Sequence, residues 1–246
     1  MKIRNGTLKW LLGILALLAP LIGLTVWRFL RMLMSDDPAI WSKEIANFKQ
    51  QDRDNPPAKD VIVFTGSSSI RFWKTLEQDM APLPVINRGF GGAKIKQVTY
   101  YADQIVIPYH PRAVVLFAGT NDLGRFNTKT AQQVFDGYVE FVNTIHNVQP
   151  ETPIYFIAIT PTPSRWKIWP VINEANQLIK TYTETDHRLH FIDMNNEILG
   201  PDGRPKRELY IWDRLHPSAK GYALWTSSIK PTLAADLFRS QTLAQE

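Results

Sequence analysis

The sequence has no cysteine, which excludes disulfides, thiolate metal sites and a cysteine nucleophile together. Acidic residues are missing from positions 1–34, which carry the bases Lys2, Arg4, Lys9, Arg28 and Arg31. The rest of the chain holds 23 bases against 23 acids, so the formal charge of +5 belongs wholly to the N-terminus. A phosphate-binding surface loses its main support, and no nucleic-acid partner is expected. Metal-ligand spacings are lacking too: His110, His146, His187 and His190 are scattered, with no HExxH pattern, and read as surface or structural. Repeats and low-complexity tracts are missing. Beyond residue 34 no apolar run is long enough to span a bilayer.

One such run is present. Trp10 to Trp27 is 18 residues without a charge, about 27 Å as a helix against a hydrocarbon core of about 30 Å. Leu33 and Met34 extend it, and Arg28 and Arg31 can snorkel. It is too long for the apolar core of a cleaved signal and has no A-x-A site before Arg28. An uncleaved single-pass anchor is the expectation, with secretion after signal cleavage as the alternative. Lys2, Arg4, Lys9 and the amino terminus outweigh Arg28 and Arg31, so the remainder is expected outside the cytoplasm, in a periplasmic or equivalent space.

The expected organisation is an anchor at 1–34, a connector with an amphipathic helix at 35–57, a catalytic domain at 58–240 and a tail at 241–246. In the connector, Ile40, Trp41, Ile45 and Phe48 recur at helical spacing, and Asn55-Pro56-Pro57 ends it. From Val61, short apolar runs at 61–64, 84–87, 113–118, 154–159 and 189–194 alternate with helical stretches at 130–148, 166–185 and 217–237. The runs are nearly continuous in apolar character, as parallel strands covered on both faces are. Strands alternating with helices predict a three-layer α/β/α domain with a five-stranded parallel sheet. Ligands in such sheets bind beyond the carboxyl ends of the strands, so the residues that follow the runs are the candidates.

Four segments follow them. Gly66-Ser67-Ser68-Ser69 after the first run is a sharp turn that presents a serine, and any of the three could be the nucleophile. Asn87-Arg88-Gly89-Phe90-Gly91-Gly92 after the second frees backbone N–H groups for an anion, and lacks the GxGxxG spacing of a dinucleotide loop. Gly119-Thr120-Asn121-Asp122 after the third offers a side-chain amide donor. Asp213-Arg214-Leu215-His216-Pro217 lies near the C-terminus. There Pro217 opens a helix, and Asp213 can fold back onto His216 Nδ1, freeing Nε2 as a general base. Trp73, Phe90, Phe126, Trp166 and Trp212 lie near these motifs and either line a pocket or fill the core.

In this order, over Val61 to Leu237, the segments resemble the blocks of the GDSL family, also called SGNH hydrolases. The run Asn87–Gly92 is similar to members related to platelet-activating-factor acetylhydrolase. The resemblance implies the flavodoxin-like SGNH fold and a serine esterase or lipase. It selects Ser68 as nucleophile, with Asp213 and His216 completing the triad. The oxyanion hole it implies is the Ser68 N–H, the Gly92 N–H (Gly91 less favoured) and the Asn121 amide. The family's aspartate before the nucleophile is Ser67 here, so any shaping by that carboxylate is lost. The implied substrate is a small-molecule, glycan or lipid ester, with no cofactor and no metal. Acyl transfer to a sugar hydroxyl would use the same residues, and a non-catalytic binding protein on this fold would not need the general base.

Overall fold

The computed structural model describes residues 5–124 and 129–243, with all but some side chains of the first and last helices. It divides into two compact units, Met1–Ser35 and Asp36–Glu246. The first is a single helix, α1 (Asn5–Met34), with Pro20 inside it. Thr25 Oγ1 donates to the Leu21 carbonyl at 2.8 Å. Counted over the described residues, no helix is long and apolar enough to cross a membrane. The expected span at 10–34 therefore gains no support from this count, and part of it lies outside the described side chains.

The second unit begins with α2 (Ser42–Asp54). Its face of Ile45 and Phe48 is buried, together with Trp41 just before it. The Trp41 indole donates to Gln97 Oε1 at 3.0 Å and meets Phe90 edge-on at 5.5 Å. Residues 36–54 thus pack onto the sheet unit through named side chains.

All five apolar runs form strands: β1 (Ile62–Gly66), β2 (Val85–Gly89), β3 (Ala113–Phe117), β4 (Ile154–Ile157) and β5 (Leu189–Ile192). They make one parallel sheet in the order β2-β1-β3-β4-β5. Every residue of β1, β3 and β4 is buried, since helices cover both faces and leave no polar side to the alternation. The crossovers carry α3 (Ser68–Arg71) and α4 (Leu76–Met80), α5 (Ile95–Tyr100) and α6 (Ala102–Ile105), α7 (Ala131–His146) and α8 (Trp169–Thr183). After β5 come α9 (Asn195–Ile198) and α10 (Ala219–Leu243).

The helix α7 buries Val134, Tyr138, Phe141, Val142 and Ile145. Its start is a capping box, with Gln133 N donating to Thr130 Oγ1 at 3.2 Å and Thr130 N to Gln133 Oε1 at 2.9 Å. The helix α8 begins at Trp169 rather than at Trp166, after a 3-10 turn over Pro163–Ile168. Pro170 explains the shift: it lacks an N–H and fits only the first turn of a helix. Of the five candidate aromatics, Trp73 and Phe90 are core residues at 1% and 0% exposure, whereas Trp212 is 90% exposed. Trp166 stacks on Trp169 at 6.2 Å. Phe126 lies outside the described residues.

The exit from β1 is sterically tight. Gly66 has φ +127°, and a Cβ on it would lie 2.0 Å from the Phe117 carbonyl oxygen of β3. Gly203 also has positive φ, +69°, with nothing within 4 Å of a Cβ. Gly66→Ala is therefore expected to lower Tm by roughly 10 °C or to prevent folding, since backbone cannot move aside without parting two strands. Gly203→Ala should cost only about 1 kcal/mol. Thermal melts of the two variants check this, and equal shifts would contradict it.

Candidate active site

At the sheet's C-terminal edge the chain leaves β1 toward one side and returns to β3 on the other, which opens a crevice between their loops. Ser68 starts α3 immediately after β1, behind the extended residue Ser67. The Ser67 N–H is engaged with the Phe117 carbonyl at 2.9 Å, and the Phe90 N–H with the Gly66 carbonyl at 3.0 Å. The loops that follow β1, β2 and β3 are thereby bonded together at their roots.

Ser68 Oγ lies 2.7 Å from His216 Nε2, and His216 Nδ1 lies 2.5 Å from Asp213 Oδ2. The carboxylate needs the Nδ1 proton, which leaves Nε2 as the acceptor for the Ser68 hydroxyl. Asp213 Oδ1 also accepts from the N–H groups of Leu215 at 2.9 Å and His216 at 3.0 Å. Burial acts to raise the Asp213 pKa, but the hydrogen bonds from the His216 ring and from the two N–H groups outweigh it and hold the carboxyl below its ordinary value. Arg214 takes φ +59° to close this turn. Phe72 meets the His216 ring edge-on at 4.8 Å, and Tyr222 of α10 donates to the Ser69 carbonyl at 2.8 Å, tying the last helix to the serine turn.

The remaining two predicted residues lie on adjoining loops. Asn121 lines a pocket with Ser68, Thr120, Thr160, Thr162 and Leu215. Its amide donates to the Ala93 carbonyl at 3.0 Å, which brings it against the loop of Gly92. Gly92 has φ +77°. The other two serines differ from Ser68: Ser67 is 2% and Ser69 7% exposed, and His216 is hydrogen-bonded to neither. Asn87 serves as a strut, donating to the Ile70 carbonyl at 2.6 Å and accepting from Gly89 N at 3.0 Å. His190 stacks on Tyr155 at 4.3 Å, away from the site residues in sequence and contact.

Sequence reasoning missed the charges beneath the site. Lys94, two residues past Gly92, is 1% exposed and donates to Asp36 at 2.6 Å. Lys129 bonds Asp122 at 3.0 Å and lies 3.7 Å from Asp36. Asp122, next to Asn121, is fully buried and also accepts from Ile95 N at 3.1 Å. Burial pushes its carboxyl above the ordinary value, against the pull of Lys129. Two cations and two anions thus brace the Gly92 and Asn121 loops against each other and against the first residue of the unit. The partners are 58 residues apart in Lys94 and Asp36, so the only early signal was the pair of lysines beside the motifs.

The chain matches the GDSL-like lipase/acylhydrolase family over residues 58–224. It is similar to a solved protein of Streptococcus pneumonia assigned as a platelet activating factor, at 19% identity and TM-score 0.71, covering 86% of this chain and 99% of that one. It is also similar to a protein of Bacteroides fragilis assigned as an acylhydrolase (23%, TM-score 0.67, 78% and 98%). A GDSL-like lipase of Bacteroides thetaiotaomicron aligns at 20% identity and TM-score 0.65, covering 78% and 99%. These likenesses speak for the fold. No curated protein matches.

The brace makes an asymmetric prediction. Asp36→Ala takes this carboxylate from the buried Lys94, whereas Lys94→Met replaces the cation by an apolar side chain of similar length. Removing one partner of a fully buried pair costs about 3–5 kcal/mol, and the cost here is smaller because Asp36 is 62% exposed, while an apolar replacement can be near neutral. Asp36→Ala should therefore lower Tm and kcat more than Lys94→Met does. Melts and ester turnover on both variants measure it, and the reverse order would sink the argument.

Proposed function

Because the chain belongs to the GDSL-like lipase/acylhydrolase family, and is thus an ester hydrolase, we propose that Ser68 is its nucleophile, His216 its general base and Asp213 the carboxylate that orients His216. The observation that carries the reading is the unbroken chain from Asp213 Oδ2 through both ring nitrogens of His216 to Ser68 Oγ. His216 Nε2 takes the Ser68 proton as the oxygen attacks the ester carbonyl, giving a tetrahedral oxyanion. The Ser68 N–H, the Gly92 N–H and the Asn121 amide are the proposed donors to that oxyanion. His216 then gives its proton to the leaving alcohol. Water repeats the sequence on the acyl-enzyme, and the acid departs. Water supplies the second nucleophile and the proton that returns to Ser68, and the residues move every other proton, so the reading calls for no cofactor.

The membrane assignment is part of the proposal. Its support is the uncharged run Trp10–Trp27, the excess of bases before it and the continuity of α1 over Asn5–Met34. On this helix Trp10 and Leu17 are 78% and 74% exposed, an apolar surface that water disfavours and lipid would cover. The hydrolase unit would then work outside the cytoplasm on a small-molecule, glycan or lipid ester.

Two tests follow. Ser68→Ala should abolish ester hydrolysis without loss of fold, while Ser67→Ala and Ser69→Ala keep substantial turnover. Asn121→Ala should lower kcat by ~10²–10³ with little change in KM. For location, the full chain should pellet with membranes, resist high salt and be released by detergent. Release by salt alone would overturn the anchor.

A further inference from the structure

Three arginines of the sheet unit hold an anion: Arg88 pairs with Asp52, Arg188 with Asp186 and Arg71 with Glu44. Arg165 differs. It lies in the 3-10 turn Pro163–Ile168, where its N–H donates to Thr162 Oγ1 at 3.2 Å. Its guanidinium rests against Gly124: a Cβ there would be 2.8 Å from Nη1 and 3.1 Å from Nη2. Gly124 lies three residues past Asn121, and Thr162 lines the pocket of Ser68. The cation therefore sits where the loops after β3 and β4 meet, and both loops contribute residues to the pocket of Ser68. Among the described residues, no carboxylate, carbonyl or ring engages this half-buried guanidinium. Burial holds its pKa below the ordinary guanidinium value, as expected of a desolvated cation with no counter-charge.

Three further features point the same way. The Arg214 carbonyl accepts from Ser164 N at 3.0 Å, so the turn of Arg165 is fastened to the loop between Asp213 and His216. The Arg214 side chain is exposed and likewise has no carboxylate among the described residues. The pocket wall holds no acid, and Thr120 Oγ1 on that wall is buried without a partner among the described residues.

We infer that Arg165, with Arg214 beside it, forms an anion subsite next to Ser68, and that the enzyme selects esters carrying a phosphate or carboxylate near the scissile bond. The planar fork of a guanidinium fits either oxyanion in two-point contact, and Arg214, being exposed, adds salt-sensitive attraction. This rests on the proposed ester hydrolysis at Ser68 and narrows its substrate class.

Three aryl acetates test it on the full chain at low salt: methyl 4-acetoxybenzoate, 4-acetoxybenzoate and 4-acetoxyphenyl phosphate. At least one anionic ester should be preferred. Arg165→Gln should cut kcat/KM for it by about 10–100-fold, mainly through KM, as for a lost charged hydrogen bond. The neutral ester should change less than twofold, and Arg165→Lys should recover part of the loss. Whichever anionic ester responds names phosphate or carboxylate. Equal losses on all three esters, or no preference in the wild type, would overturn the subsite. Calorimetry of phenyl phosphate and 4-hydroxybenzoate on Ser68→Ala separates the two readings. Anion binding that needs Arg165, with the unsubstituted chain hydrolysing none of the three esters, would sink ester hydrolysis at Ser68 and keep the subsite. Turnover of the neutral ester with no anion binding would sink the subsite alone.

Discussion

The turn at Gly66–Ser67 bonds the ends of three strands to one point. The Gly66 carbonyl takes the N–H of Phe90, just past β2, and the Ser67 N–H goes to the carbonyl of Phe117, the last residue of β3. Only a glycine fits at 66, because the approach to Phe117 leaves no room for a Cβ. Once this knot is tied, the first residues beyond β1, β2 and β3 start from neighbouring positions. Ser68, Gly92 and Asn121 then need only two to four residues each to reach a common crevice. The topological reversal at β1 supplies the crevice, and the knot supplies its precision.

Charge then holds those loops apart at fixed spacing. A lysine with 1% exposure is costly unless its cation is matched, and Lys94 is matched by Asp36. Nearby, Arg88 is buried against Asp52 and donates to the Tyr109 hydroxyl at 2.8 Å, while that hydroxyl donates to Asp52 at 2.6 Å. Both acids come from the segment ahead of the sheet. The stretch of chain that follows α1 is therefore a working part of the hydrolase unit. It is joined to the chain just past Gly92 by the Lys94–Asp36 pair and, through Gln97, by the Trp41 indole.

What could be read from the sequence follows from how far apart the partners lie. The five strands were legible because burial on both faces leaves continuous apolar runs. The candidate residues Ser68, Gly92 and Asn121 were legible because each lies within four residues of a strand end, and Asp213 and His216 because they stand together just before the last helix. The capping box of Thr130 and Gln133 is local, since its partners are only three residues apart. By contrast, Asp36 and Lys94, or Asp52 and Arg88, are joined only by the fold, and each alone looks like an ordinary surface charge. Pro170 moved the start of α8, and the stretch it displaced became the turn that carries Arg165. The aromatics near the motifs were ambiguous because chain proximity does not fix direction: Trp73 and Phe90 point inward, Trp212 outward.

The serine at 67 connects the electrostatics to the chemistry. Where the resemblance leads one to expect an aspartate, this chain has a neutral side chain, 2% exposed, on the pocket wall beside Ser68. A carboxylate there would be desolvated and close to the developing oxyanion, where it would oppose the charge that Gly92 and Asn121 are proposed to stabilise. It would also offset the positive potential of Arg165 and Arg214 before a substrate could feel it. With serine in its place, the charge of Asp213 is committed to the His216 ring and to the N–H groups of His216 and Leu215 through three hydrogen bonds. The pocket beside Ser68 is left with hydroxyls and an amide, and Thr162 of its wall accepts the backbone N–H of Arg165. That wall repels no anion, which is the condition an anionic ester requires.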